Sequence, residues 1–256
     1  MPAEVKILVE GYTNADSKVE SGGEEKTCAT ITLVRDEGII MVVDPGVLES
    51  QQILVDALAR EKLTIHDVNI VCITHSHLDH YRNIGMFPKA KALDFFGVWD
   101  KNICEEWQEQ FSKNIQILRT PGHDYTSITL FVNTGKRIIA ICGDVFWREN
   151  SPEHDHNAKT EEEQSNLDKS REKVLEMADW VIPGHGKIYK TEKGHIKSIE
   201  EEAGVIGRRE IKTNGKCRKC GRQISKNDRC LCRSWLCARC CECGLDCDLC
   251  GCSHKR

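Results

Sequence analysis

Short apolar runs separated by polar turns fill the first three quarters of the chain. Lys6–Val9, Thr27–Val34, Ile39–Val43, Asn69–Ile73, Ile115–Arg119, Ser127–Val132, Arg137–Ile141 and Trp180–Ile182 read as strands. Each is rich in β-branched and aliphatic residues, and each is bounded by turn formers. Glu49 to Glu61 differs in period: Ile53, Leu54, Ala57 and Leu58 fall on one face of a helix. Ser170 to Ala178 repeats that spacing with Val174, Leu175 and Ala178. Strands alternating with helices predict an α/β domain over residues 1–204. Residues 149–169 interrupt the pattern. They are polar and acidic and include His154 and His156. A solvated loop is the favoured reading, and a lid with extra ligands the other. Gly194 to Gly215 reads as a charged helix followed by a polar linker, the linker being 205–215.

Several predicted strands end in metal-grade side chains. Asn69–Thr74 runs directly into His75-Ser76-His77-Leu78-Asp79-His80, three imidazoles and a carboxylate in six residues. A mixed N/O set suits Zn, Fe or Mn and is typical of catalytic rather than structural sites. One metal cannot comfortably take all four groups, so two neighbouring metals are expected, one served by His75 and His77, the other by Asp79 and His80. Further candidates follow in order: His123 on a Pro-Gly turn, Asp144 after Gly143, and His185 in Pro183-Gly184-His185-Gly186. Strand ends on a rigid sheet are good platforms for ligands.

The chain carries 15 cysteines, unevenly spread, and a formal net charge of −4. Cys28, Cys72, Cys104 and Cys142 stand alone in the body and read as small core residues. The other eleven crowd into residues 216–256: Cys217, Cys220, Cys230, Cys232, Cys237, Cys240, Cys241, Cys243, Cys247, Cys250 and Cys252, with His254 just beyond. Twelve such ligands suffice for three tetrahedral zincs, and Cys-x-x-Cys is the usual chelating unit. We expect a zinc-ribbon-like module holding two to three structural Zn²⁺, with metal supplying its folding energy. From residue 205 onward there are 13 Lys and Arg against 5 Asp and Glu. That basic surplus suggests nucleic acid, but eleven thiolates and three zincs would reduce it, so a protein partner is an equal expectation. No apolar run approaches a membrane span, and the N-terminus leads straight into a strand without a signal-peptide core. With thiols clustered for metal, a reducing, cytoplasmic setting is expected. Oligomeric state is not legible.

His-x-His-x-Asp-His at 75–80, Pro-Gly-His at 121–123, Gly-Asp at 143–144 and Pro-Gly-His-Gly at 183–186 resemble the metallo-β-lactamase superfamily in order and approximate spacing. Val43-Asp44-Pro45-Gly46 is similar to that family's first motif. The match covers roughly residues 5 to 200. Val5–Tyr12, Thr74–Pro88 and Ser165–His185 resemble a subgroup of that family to which histone pre-mRNA processing is ascribed. The resemblance implies an αββα sandwich with two metals at one edge. Carried over, His75, His77 and His123 would hold one metal; Asp79, His80 and His185 the other; Asp144 would bridge them, and Asp44 would steady the ligand loop. Asp79 and Asp144 would be the catalytic carboxylates around a bridging hydroxide that hydrolyses a small molecule or RNA. The inserted domain common in RNA-cleaving members is missing, since only about forty residues separate Asp144 from His185. A glyoxalase II-like thioester or lactone hydrolase, a mononuclear-iron persulfide dioxygenase-like enzyme, and a binding module with a secondary hydrolase body are the alternatives.

Overall fold

The computed structural model describes residues 1–15 and 24–191, together with two short strands, Gly215–Lys216 and Gln223–Ile224. The chain divides into two units, Met1–His195 and Ile196–Arg256. The eleven clustered cysteines, His254 and nearly all of the predicted helix and linker lie outside the described residues.

Two sheets face each other in the first unit. The larger contains β1 (Glu4–Val9), β4 (Ile31–Asp36), β5 (Ile39–Val43), β6 (Ile70–Cys72), β7 (Lys91–Leu93), β8 (Val98–Asp100) and β9 (Ile103–Glu105), in that spatial order. The smaller contains β10 (Ile115–Arg119), β11 (Ile128–Asn133), β12 (Ile138–Ile141), β13 (Trp180–Ile182) and β14 (Tyr189–Lys190). A small ribbon pairs β2 (Tyr12–Thr13) with β3 (Thr27–Cys28).

Side-chain alternation builds the layers. Val34, Met41, Val43, Cys72 and Leu93 point from the large sheet into the interface, where they meet Ile117, Ile128, Leu130, Val132, Ile139 and Ile141 of the small one. Their neighbours Leu33, Val42 and Val71 point the other way and pack on Leu54 and Leu58 of helix α1 (Gln52–Arg60). On the far side, Phe131, Ala140 and Val181 receive Leu167 and Val174 of a long helix, Glu161–Met177. The result is a mixed α/β sandwich, helix over sheet over sheet over helix. Each fully buried Leu of these helices contributes about 1.5–3 kcal/mol relative to an exposed one.

Three sequence expectations are corrected. The helix predicted from Ser170 begins at Glu161. Thr160 caps it, accepting from Glu163 N at 3.1 Å, while Glu163 Oε2 accepts from Thr160 N at 2.9 Å. That capping box starts a helix inside a stretch too polar to show a face. Cys104 is exposed, because β9 is an edge strand. The run Thr27–Val34 breaks at Ala29 and Thr30, where Thr30 N donates to Gly184 O at 2.7 Å and so leaves its own sheet to tie the two together.

Parallel pairing fixes where chemistry can collect. β5, β6 and β7 run parallel, as do β12 and β13. Their carboxyl ends therefore open at one edge, the usual location for a site in α/β sheets. Ile128 N donates to Thr74 O at 2.8 Å and joins the sheets there.

Candidate metal centre

Three of those strand ends and one turn supply the cluster. β6 delivers His75 and His77, and the short helix α2 (Leu78–Tyr81) follows with Asp79 and His80. β12 leads to Asp144, and β13 leads to His185. His123 arrives on the turn between β10 and β11. His75, His80, His123, Asp144 and His185 are buried; His77 and Asp79 are half-buried at the mouth. The long helix over the small sheet, Glu161–Met177, is α3. One of its residues, Leu167, lies so close to Gly122 that a side chain there would collide with its backbone.

The seven side chains fall into two groups. His75, His77, His123 and Asp144 place donor atoms within 4.8 Å of one another, and Asp79, His80 and His185 do the same. His77 Nδ1 lies 3.0 Å from both His75 Nε2 and His123 Nε2. His80 Nε2 lies 3.4 Å from His185 Nε2. Asp144 stands between the groups: Oδ2 is 3.3 Å from His123 Nε2, 3.8 Å from His75 Nε2 and 3.2 Å from His185 Nε2, while Oδ1 is 3.3 Å from His80 Nε2 and 3.2 Å from His185 Nε2. Asp144 Oδ1 is buried without a hydrogen-bond partner. Imidazole nitrogens turned on one another, around an orphaned carboxylate oxygen, are a donor set suited to divalent cations.

Backbone conformation lets the carboxylate enter. Gly143 has φ +49°, and a side chain on it would strike Thr74. Gly184 lies so close to Asp144 that a Cβ there would overlap Oδ1. Both glycines sit where strand backbones approach the cluster.

Four of the ligands have a partner behind them. Asp44, at the end of β5 with φ +48°, accepts from Thr74 N at 2.8 Å and Thr74 Oγ1 at 2.7 Å, and lies 2.9 Å from His80 Nδ1. His185 Nδ1 lies 3.0 Å from Cys28 O. Thr27 Oγ1 donates to Asp79 Oδ2 at 2.8 Å. His123 Nδ1 lies 2.8 Å from Asp155 Oδ2. Asp44 is legible in the sequence through its motif. Thr27, Trp147 and Asp155 are not, because single residues in a loop or a two-residue strand leave no periodic trace. The solvated-loop reading of 149–169 is thus corrected at Asp155, which is only 3 % exposed. Its neighbour His156 is exposed but packs on Trp147, with ring centroids 4.8 Å apart.

Electrostatics divide the histidines. Burial, reinforced by the neighbouring imidazoles, pushes His75 well below the ordinary imidazole range, and burial pushes His77 down. Burial also opposes charge on His80, but Asp144 and Asp44 outweigh it and hold His80 well above that range. His185 is raised in the same way by Asp144. Burial opposes charge on Asp144 in turn, and the His185, His80 and His123 rings outweigh it and keep the carboxyl well below its usual value.

Two cavities open on the cluster. The smaller is lined by His77, Asp79, Asp144, His185, Trp147 and His156. The adjoining one, about 250 Å³, is lined by His77, His123, Tyr125, Asn157, Lys159 and Asn166. A larger cavity of about 560 Å³, bounded by Ile39, Lys91 and Trp107, lies at the amino ends of β5 and β7, away from the cluster.

Residues 29–100 match the family model described as the metallo-β-lactamase superfamily. The chain is 32% identical over 170 residues to metallo-β-lactamase domain-containing protein 1 of Rattus norvegicus, covering 63% of this chain and 67% of that one. It is 27% identical over 210 residues to the Xenopus laevis protein of the same name, covering 78% and 87%. The chain spans 48% and 65% of the lengths of nematode and mouse relatives it also matches. A solved Thermotoga maritima structure that carries the metallo-β-lactamase name shares the fold, with TM-score 0.58 and 20% identity over 74% of this chain and 100% of that one.

Proposed function

Because the chain belongs to the metallo-β-lactamase superfamily, we propose that it is a metal-dependent hydrolase built around two divalent cations, zinc by first preference. The observation that carries this reading is the convergence of five imidazoles and two carboxylates on one sheet edge, in two groups, with a buried Asp144 oxygen left unpartnered between them. His75, His77 and His123 would hold one cation, Asp79, His80 and His185 the other, and Asp144 would touch both. When bound, such a pair supplies Lewis acidity and lowers the pKa of a water toward about 7, which makes it a nucleophile at neutral pH.

The chain's own residues do the rest. Asp144 sets the spacing between the two groups. Thr27 holds one oxygen of Asp79 at 2.8 Å, and Asp79, half-buried at the cavity wall, is placed to take a proton from the attacking water. His75 and His77 remain neutral and available as lone-pair donors, since burial disfavours their charged forms. The 250 Å³ cavity offers Lys159, Asn157 and Asn166 beside His77 and His123. Asp124 and Glu163 share that wall, Asp124 accepting from Thr126 N at 2.7 Å and Glu163 from Thr160 N at 2.9 Å; Lys159 and the two amides favour an anionic, hydrogen-bonding substrate, and a phosphodiester is preferred to a thioester or lactone.

A panel of RNA, bis-aryl phosphodiester, thioester and lactone substrates, run against zinc-loaded protein, tests this. The expected result is turnover of the phosphodiesters, abolished in His77→Ala and Asp144→Ala. Turnover confined to thioesters or lactones would overturn the substrate class. Undiminished turnover in either variant would overturn the metal assignment.

A further inference from the structure

Asp155 belongs to the segment that the sequence marks as loop, yet it is buried and its Oδ2 lies 2.8 Å from Nδ1 of His123. A second group reaches the same nitrogen: Trp147 Nε1 lies 3.3 Å from it and donates. The two contacts exclude each other. An ionised carboxylate only accepts, so its bond requires a proton on Nδ1 and leaves the Nε2 lone pair bare. An indole N–H only donates, so its bond requires a bare Nδ1 and puts the proton on Nε2. That nitrogen lies 3.0 Å from His77 Nδ1 and 3.3 Å from Asp144 Oδ2. A proton there would close a His123–Asp144 hydrogen bond across the space a cation needs.

We propose that Asp155 is a positioning residue that selects the metal-competent tautomer of His123 against Trp147, and that the same bond fastens the strap of residues 151–160 over the substrate cavity. The inference rests on the metal-centre reading above. The shorter, charge-assisted contact prevails over the longer neutral one. The carboxylate is itself held: Asn157 N donates to Asp155 Oδ1 at 2.9 Å, and Asp155 N donates to Gln164 Oε1 at 3.1 Å. Gln164 Nε2 and Arg171 Nη1, both on α3, donate to Glu153 O at 3.1 and 2.9 Å. The strap is therefore pinned to α3 at Glu153 and Asp155 and to the cluster at His123. Beyond those pins, His156, Asn157 and Lys159 wall the two cavities.

The test uses full-length protein with ¹⁵N-labelled histidine. Zinc occupancy at His123 is followed through its Nε2 resonance while a chelator competes. Asp155→Ala should weaken zinc at this position by about 10–100-fold, the range usual for loss of a carboxylate behind a metal-bound histidine. Asp155→Asn should do the same, because its amide can donate to Nδ1, whereas Asp155→Glu should recover much of the loss. The discriminating variant is Asp155→Ala with Trp147→Phe. Removal of the competing donor should restore part of the affinity that the single substitution loses, which a merely structural role would not do. Parental zinc affinity in Asp155→Ala would overturn the proposal, as would a double variant no better than the single one. Because the readout is metal affinity, absence of hydrolysis on every substrate would defeat the proposed function and leave this inference standing.

Discussion

Asp44 and His80 meet at 2.9 Å through Oδ2 and Nδ1, while the far nitrogen of the same ring faces Asp144 Oδ1 at 3.3 Å. The carboxylate at the end of β5 thereby fixes which nitrogen of His80 carries a proton. Two further bonds, from Thr74 N and Thr74 Oγ1, hold Asp44 to the strand that supplies His75 and His77. Asp44→Asn keeps the volume but can present a donor to His80. We expect zinc affinity of the Asp79–His80–His185 group to fall about 10–100-fold, measured by chelator competition, and far-ultraviolet circular dichroism to stay unchanged. Unaltered affinity would remove Asp44 from the metal centre.

Gly184 gives a steric test of the same centre. A methyl at this position overlaps the Asp144 carboxylate. Gly184→Ala should displace Asp144 and lower the affinity for at least one cation, while Gly85→Ala, where an added Cβ meets nothing within 4 Å, should be milder. Equal effects of the two substitutions on zinc affinity would contradict this geometry.

Metal loading should release protons. Burial opposes charge on His80 and His185, but Asp144 outweighs it and raises both above the ordinary imidazole value, so in metal-free protein each ring holds its proton to higher pH than a free imidazole does. Their charged pairing stabilises the metal-free fold fully below the unfolded imidazole value, and this contribution is lost as pH rises through their raised values. A cation needs both rings neutral, so its affinity should climb as pH rises through their raised values. Calorimetric zinc titrations in buffers of different ionisation enthalpy report the released protons. A binding enthalpy independent of buffer would contradict the charge state assigned to these rings.

The hidden start of α3 can be tested through its cap. Thr160 accepts from Glu163 N at 3.1 Å, and Thr160→Ala removes that bond. A loss of about 0.5–2 kcal/mol in denaturant unfolding is expected, with no change in zinc stoichiometry. A neutral result would mean that the helix begins nearer Ser170.

His123, Asp144 and His185 were legible because each closes an apolar run with a Gly or Pro turn, and His75, His77, Asp79 and His80 because they crowd directly behind one. The α/β character was legible in short apolar runs alternating with two helix-period segments, whereas the sandwich came through the family resemblance, since β5, β11 and β12 are nearly continuous apolar runs that do not tell one face from the other. The features that escaped share a physical cause. β8 and β9 are three-residue strands at one end of the large sheet whose mostly exposed side chains carry no alternation, and α3 opens with Glu161, Glu162 and Glu163, where a capping box rather than an apolar face marks the start. Asp155 acts through one bond to a residue 32 positions away. No local pattern encodes such a contact.

The cluster itself is best examined by anomalous diffraction at the zinc edge from crystals of the full-length, zinc-loaded protein. Two peaks are expected at the sheet edge, one among His75, His77 and His123 and one among Asp79, His80 and His185, with Asp144 touching both. A single peak there, or none, would contradict the paired-cation centre.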